Sequence, residues 1–314
     1  ANTTADNNTA VGYSSLAANT TGTENTAVGK GAGAAITTAT WATLLGSGAG
    51  AALTTGTQNT FIGGGAGDAT TTGAQNTSVG YAALGANTTA SFNVAIGYAA
   101  MSTNTTGNQN VALGRQALNF NTTGVSNVSL GNETLYANTT ANDNTAVGYH
   151  ALKANTTGTQ NTALGAYVLD ANTTASSNTA VGYNSLGENT TGAANTAVGQ
   201  NASFGNTTGS NNVAVGLTAL TTNTTGSENT AVGGPSLVSV TTGIQNTSLG
   251  YNSGHTIITG SYNCHLGSLA IGGSSSGVNY ELVVGTTNTS IVGKGNSTGF
   301  IAPGGTGAVY QGNN

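Results

Sequence analysis

Residues 144–160 read N-T-A-V-G-Y-H-A-L-K-A-N-T-T-G-T-Q, and this phrase of seventeen residues decides the fold. The phrase recurs every 17 residues, apart from one gap of 34 residues. The copy inside that gap begins at Ala42 and still keeps the pattern, so sixteen repeats run to about Leu269 without insertion or deletion. Because loop insertions normally cost little free energy, their absence predicts repeats stacked flush on one another. The first asparagine of the phrase recurs at Asn8, Asn25, Asn59, Asn76, Asn93, Asn110, Asn127, Asn144, Asn161, Asn178, Asn195, Asn212, Asn229, Asn246 and Asn263.

Each repeat, numbered one to seventeen from this asparagine, is too short for a pair of helices and has the alternation of a strand. Position two is Thr, Val or Cys and position four is Val, Leu or Ile; we expect both to point inward, with the small residue at position three approaching another surface. The N-T-T segment predicts a second short strand. The sequence therefore predicts an all-β fold, a parallel β-roll or β-solenoid of sixteen 17-residue coils. Its core, formed by residues such as Val11 and Leu16, is thin, so we expect several chains to share a core or to seal each other's flanks.

Position five predicts the corner of each coil. It is glycine in all sixteen copies, and glycine adopts a positive φ without steric cost. The predicted corner residues are Gly12, Gly29, Gly46, Gly63, Gly80, Gly97, Gly114, Gly131, Gly148, Gly165, Gly182, Gly199, Gly216, Gly233, Gly250 and Gly267.

Charge and hydropathy exclude several classes of function. The chain has 4 Lys and Arg against 9 Asp and Glu, a net charge of −5, which excludes a nucleic-acid groove for want of cations. No apolar run approaches the ~20 residues of a membrane-spanning helix, so no membrane insertion is expected. A single cysteine rules out a disulfide framework.

Catalytic and metal-binding patterns are weak. The nine acids are scattered over different coils, and no strained elbow surrounds a serine, so we expect no enzyme and no cofactor. His255, His265 and Cys264 lie close enough in sequence to suggest zinc. The competing interpretation, a buried thiol at an inward position, is favoured for Cys264. Four aspartates are too few for a calcium-binding repeat.

The N-T-T triplets meet the acceptor rule for N-glycosylation. The alternative is that asparagine occupies a corner because it tolerates a left-handed φ. Regularly spaced threonines also leave open an ice-binding face. The candidate glycosylation residues are Asn19, Asn87, Asn104, Asn121, Asn138, Asn155, Asn172, Asn189, Asn206 and Asn223.

Tyrosine recurs at position six, just past the corner. An outward row of tyrosines can stack on host polysaccharide, or it can seal the joint between protomers, and the second interpretation is preferred. These residues are Tyr13, Tyr81, Tyr98, Tyr149, Tyr183 and Tyr251.

The N-T-A-V-G phrase resembles the N-S-V-A-I-G head repeat of trimeric autotransporter adhesins. That resemblance implies a left-handed parallel β-roll with three chains to a head. The coils of that family are shorter, and its stalk and membrane anchor have no counterpart in this sequence.

The last residues, N-Y-E-L-V-V-G-T-T-N-T-S-I-V-G-K-G-N-S-T-G-F-I-A-P-G-G-T-G-A-V-Y-Q-G-N-N (279–314), leave the 17-residue register. They resemble the knob of cyanophage-type bacteriophage tail fibres, in which such a segment follows N-T-A-V-G repeats and precedes a self-cleaving chaperone of the endosialidase kind. We therefore expect a shaft over 1–269 and an irregular cap or knob over 270–314.

The resemblance to tail fibres implies a structural fibre on an extracellular virion tail that attaches to host cell-surface polysaccharide or protein. A glycosylated fibril or adhesin on a microbial cell surface, and an ice-binding β-solenoid, are the alternatives.

Overall fold

The computed structural model describes residues 4–271, 276–285 and 291–302 and is an all-β parallel β-solenoid, as the repeat predicted. The described residues form no helix, and therefore none long and apolar enough to cross a membrane. The chain divides into two compact units, Ala1–Gln160 and Asn161–Asn314. The first unit holds coils one to nine, beginning at Asn8; the second holds coils ten to sixteen, beginning at Asn161, and the strands that follow them.

Each coil contributes one short strand at positions two to four. In the first unit these strands are β1 Thr9–Val11, β2 Thr26–Val28, β3 Thr43–Leu45, β4 Thr60–Ile62, β5 Thr77–Val79, β6 Val94–Ile96, β7 Val111–Leu113, β8 Val128–Leu130 and β9 Thr145–Val147. In the second they are β10 Thr162–Leu164, β11 Thr179–Val181, β12 Thr196–Val198, β13 Val213–Val215, β14 Thr230–Val232, β15 Thr247–Leu249 and β16 Cys264–Leu266. Four further strands follow them: β17 Ala270–Ile271, β18 Leu282–Gly285, β19 Ile291–Val292 and β20 Gly299–Ala302.

Within each unit, successive coils pair in parallel with a constant register. Val94 pairs with Val111 and Ala95 with Ala112, so each strand lies one repeat from its neighbour. The constant step explains the absence of insertions, because an extra residue would displace every side chain of the next coil.

The N-T-T segment is not a second strand, and that expectation is wrong. It stacks through local bonds instead: Thr105 N donates to the carbonyl oxygen of Thr122 at 2.9 Å, and the Thr105 hydroxyl donates to the same oxygen at 3.0 Å. Thr106 N also donates to this oxygen at 3.2 Å, so one carbonyl accepts three hydrogen bonds, a pattern that joins coils without a strand ladder.

The strand faces are the reverse of the expected ones. Position three is inside, because Ala112 is fully buried, whereas positions two and four point outward, with Val11 57% and Leu113 48% exposed. Successive side chains of a strand alternate between its faces. Because the asparagine at position one is buried, position three also faces inward and positions two and four face outward. A small residue suits position three because the large core side chain comes from position nine, as at Leu118.

The corner glycines all adopt the left-handed backbone. Their φ values lie between +123° at Gly233 and +142° at Gly114. A Cβ on Gly12 would lie 2.7 Å from the carbonyl carbon of Gly29, the corner of the next coil. The position therefore excludes other residues twice, by backbone conformation and by space.

The parallel pairing continues into the described part of the segment predicted as a cap or knob. Strand β18 pairs in parallel with β16, with Cys264 opposite Leu282, an offset of 18 residues, and β20 then pairs with β18 at the usual offset of 17. One inserted residue shifts the register and the ladder continues. Residues 272–275, 286–290 and 303–314 of the predicted cap or knob lie outside the described residues.

Candidate functional site

The residues at position six form an outward row beside the corner, here called column six. In the first unit Tyr81 is 63% and Tyr98 is 53% exposed, and their rings stack with centroids 5.8 Å apart and planes 13° apart. The backbone holds them in place because the carbonyl of Tyr81 accepts a hydrogen bond from Ala99 N at 2.9 Å. Tyr13 and Tyr149 in the same unit are also exposed. Column six therefore presents aromatic faces to solvent.

A charged cluster interrupts this column in coils seven to nine. Arg115 occupies position six, and its Nη1 lies 2.7 Å from Oε1 of Glu133. Lys153 Nζ lies 2.9 Å and His150 Nε2 lies 3.2 Å from the other oxygen, Oε2. Two of the four lysines and arginines of the chain thus surround one carboxylate.

Glu133 is an ion-pair partner and not a proton donor. Hydrogen bonding from Lys153 is the main reason that the pKa of Glu133 is lowered; burial opposes this shift, and the bond from Arg115 lowers the pKa further. The carboxylate is therefore ionised at neutral pH. The cluster can accept and donate hydrogen bonds to hydroxyls and pair with an anion, but it lacks a second carboxyl for glycosidic hydrolysis.

Aromatic rings lie beside the cluster. The Tyr149 ring stacks on His150 with centroids 3.8 Å apart, and Phe120 meets Tyr136 edge to face at 4.9 Å. Flat apolar rings next to charged hydrogen-bonding groups suit a sugar, which has apolar C–H faces and a polar edge. Arg115, Glu133 and Lys153 were not predicted as site residues. The available signal was that these rare charged residues fall in three consecutive coils.

The second unit carries its own exposed tyrosines. Tyr183 is 51% exposed and meets Tyr167 edge to face at 6.0 Å, and Tyr251 is 64% exposed. Tyr262 and Tyr280 stack almost parallel, 4° between planes and 4.8 Å between centroids. These last two occupy position seventeen and not position six, a row that sequence reasoning did not single out.

The asparagines of N-T-T are inside the coil, so a glycan on them is incompatible with the fold. Asn121 is fully buried, and its Nδ2 donates to Oδ1 of Asn104 at 2.8 Å and to the carbonyl of Gly124 at 3.0 Å. Their φ values are not left-handed, so the corner explanation is wrong as well. The same burial holds for Asn19, Asn87, Asn138, Asn155, Asn172, Asn189, Asn206 and Asn223.

The residues considered for zinc do not form a site. Cys264 is at an outward, partly exposed position two, whereas His265 at position three is fully buried. The inward thiol expected from the sequence is therefore wrong. No group of three or more His, Cys, Asp or Glu residues in the described part of the chain is placed to hold a metal ion.

One buried titratable pair lies in the second unit. Nε2 of His265 is 3.6 Å from Oε2 of Glu281, and both side chains are fully buried. Burial lowers the pKa of His265, against the opposing charge of Glu281, so the imidazole is neutral at pH 7. Glu281 replaces the asparagine of position one and accepts a hydrogen bond from Gly295 N at 2.8 Å. The pair is structural, because neither side chain reaches solvent.

Comparison with known proteins gives no relative: no family model, no curated protein and no solved structure matches this chain.

Proposed function

We propose that the chain is a structural fibre, the shaft of a phage tail fibre, that assembles as a homotrimer and attaches the virion to polysaccharide on the host surface. The observation that carries this proposal is the surface formed by column six and the adjoining Arg115–Glu133–Lys153 cluster, which combines exposed tyrosines with three of the thirteen charged side chains of the chain. Rows of weak identical sites give avidity without a strong single site. The expected location is the virion tail, outside the cell.

The ligand chemistry follows from the cluster. Rings that stack on sugar faces, next to cations, favour a polysaccharide that carries carboxylates over a neutral one. The host glycan is therefore proposed to contain an acidic sugar.

A binding assay tests the site. Labelled polygalacturonate is the acidic probe and dextran the neutral comparator. Tyr98→Ser with Arg115→Ser, both at exposed side chains, should reduce binding of the acidic probe at least tenfold. Phe92→Ser is the matched control, because Phe92 is 55% exposed but lies at position seventeen, and it should bind as the parent does. Equal binding of both probes by parent and variant would refute the site.

Location is tested separately. Antibodies against the chain should label virion tails in electron micrographs. Labelling of cell surfaces in place of virions would favour the cellular fibril or adhesin.

Ice binding remains a second candidate because of one observation. Position fourteen is threonine in all fifteen copies that precede another repeat, and each of these side chains is exposed, as at Thr106 and Thr123. Repetition at one strand spacing, about 4.8 Å, gives a regular row of hydroxyls. Thermal hysteresis of a freezing solution should be measurable if this row binds ice, and its absence would exclude this function.

A further inference from the structure

The outward face of the strands is apolar, long and free of charge. In the first unit, positions two and four of β1–β9 carry only Thr, Val, Leu and Ile, and none of these side chains is buried. Leu45 is 49% and Leu113 is 48% exposed. We call this surface the strand face of the unit.

The second unit has a strand face of the same kind. Leu164, Leu249 and Leu266 at position four are 48%, 47% and 42% exposed, and Ile301 in β20 is 54% exposed. The row therefore continues beyond the sixteenth coil, into strands that the sequence did not assign to the stack.

Its size exceeds that of scattered surface hydrophobics. Nine strands about 4.8 Å apart span roughly 40 Å, and with a width of about 10 Å each face covers roughly 400 Å². Each face is therefore comparable to the largest apolar patch on an ordinary monomer, roughly 300–600 Å², and such patches often serve an interaction.

The geometry points to a second copy of this chain as the occupant: we propose that the strand faces are the self-association surfaces of the homo-oligomer, which deepens the fibre function proposed above. Two copies share the same strand spacing, so the side chains of one face fit between the rows of the other along its whole length. A globular partner lacks that period. The net charge of −5 does not oppose the contact, because the nine acids lie off positions two and four of the strands.

This assignment departs from the sequence prediction that tyrosines seal the joint between protomers. Column six leaves Tyr81 and Tyr98 exposed and has the charged Arg115 in the coil after Tyr98, whereas the strand face carries no charged side chain. Desolvating the strand face on association costs less free energy than desolvating column six, because no charged group has to be buried.

Light scattering after size exclusion tests the proposal by mass. Leu45→Lys with Leu113→Lys places two charges on the strand face without touching the core, and should reduce the assembly to a single chain. The matched control, Thr55→Lys with Thr123→Lys, adds the same charges in the same two coils at the exposed position fourteen and should keep the parent mass. Circular dichroism of both variants should match the parent.

The outcomes separate the two proposals. If the strand-face variant keeps the parent mass, the interface is elsewhere while the fibre remains an oligomer. If Tyr98→Lys with Tyr149→Lys dissociates the assembly instead, column six is the joint and the assignment is overturned. A parent that is a single chain at micromolar concentration contradicts both the interface and the homotrimer, whereas polysaccharide binding is measured independently of mass.

Discussion

Coils three and seven, both in the first unit, have the same backbone conformation but different core residues. In coil seven the core contains Ala112 at position three, Leu118 at position nine and Asn121 at position twelve, all fully buried. In coil three these positions are Leu44, Gly50 and Leu53. The large side chain has moved from position nine to positions three and twelve.

The backbone does not change with this exchange. Position nine is left-handed in both coils, with φ of +58° at Gly50 and +52° at Leu118. A Cβ on Gly50 would lie 3.0 Å from Leu44 Cδ2 and 3.1 Å from Phe61 Cδ2, so the large neighbours occupy the space that leucine fills elsewhere. The coil therefore requires a filled core and a fixed corner geometry. It does not require the buried asparagine at position twelve, which an apolar residue can replace.

The largest expected effect tests what the two coils share. Gly46→Val and Gly114→Val should each cost about 3–6 kcal/mol, because a β-branched residue resists positive φ and its Cβ would overlap the backbone of the next corner. Urea unfolding measures the loss. Gly48→Ala is the control, since its Cβ meets nothing within 4 Å, and it should cost about 1 kcal/mol. A large loss in only one of the two coils would break the equivalence.

The next effect tests the exchange of volume. Leu118→Gly should cost about 2–5 kcal/mol by opening a cavity. Adding Asn121→Leu places a large side chain at position twelve, where coil three has one. The double variant should lose at least about 1 kcal/mol less unfolding free energy than the sum of the two single losses. Strict additivity in a double-mutant cycle would show that the two positions do not share the core space.

The smallest effect concerns the same exchange in the second unit, where Gly254 and Ile257 occupy positions nine and twelve and His265 lies in the coil above. The lowered pKa of His265 means that the unfolded chain takes up its proton first. Stability is therefore full above about pH 6.5 and falls as the pH drops below it. His265→Ala with Glu281→Asn restores the repeat residues and should flatten the pH dependence of thermal melting between pH 7.5 and 5. An unchanged slope would place the titration elsewhere.

Periodicity predicted the coil, its length and its corners, because insertions and glycines are visible in one sequence. Hydrophobicity could not predict which side chains of the strand face inward, because the outward Val and Leu of position four are more apolar than the inward Ala112. The asparagine at position one, whose burial determines which strand positions face inward, is polar. Sequence alone does not distinguish a buried, hydrogen-bonded asparagine from an exposed one. Glu133 and Lys153 come together only through stacking, so their pairing required coordinates.

The non-glycine left-handed residues were also missed. Leu118 at position nine and Glu133 at position seven have φ of +52°, a conformation that glycine usually supplies. The glycines Gly48 and Gly50 at the same two positions of coil three were the available signal.

Cryo-electron microscopy of the assembled particle shows whether the strands turn their apolar face outward toward other copies and leave column six in solvent. We expect a map in which Leu113 lies at a contact between chains while Tyr98 and Arg115 face solvent. A map with the tyrosine rings between chains and Leu113 in solvent would contradict this expectation.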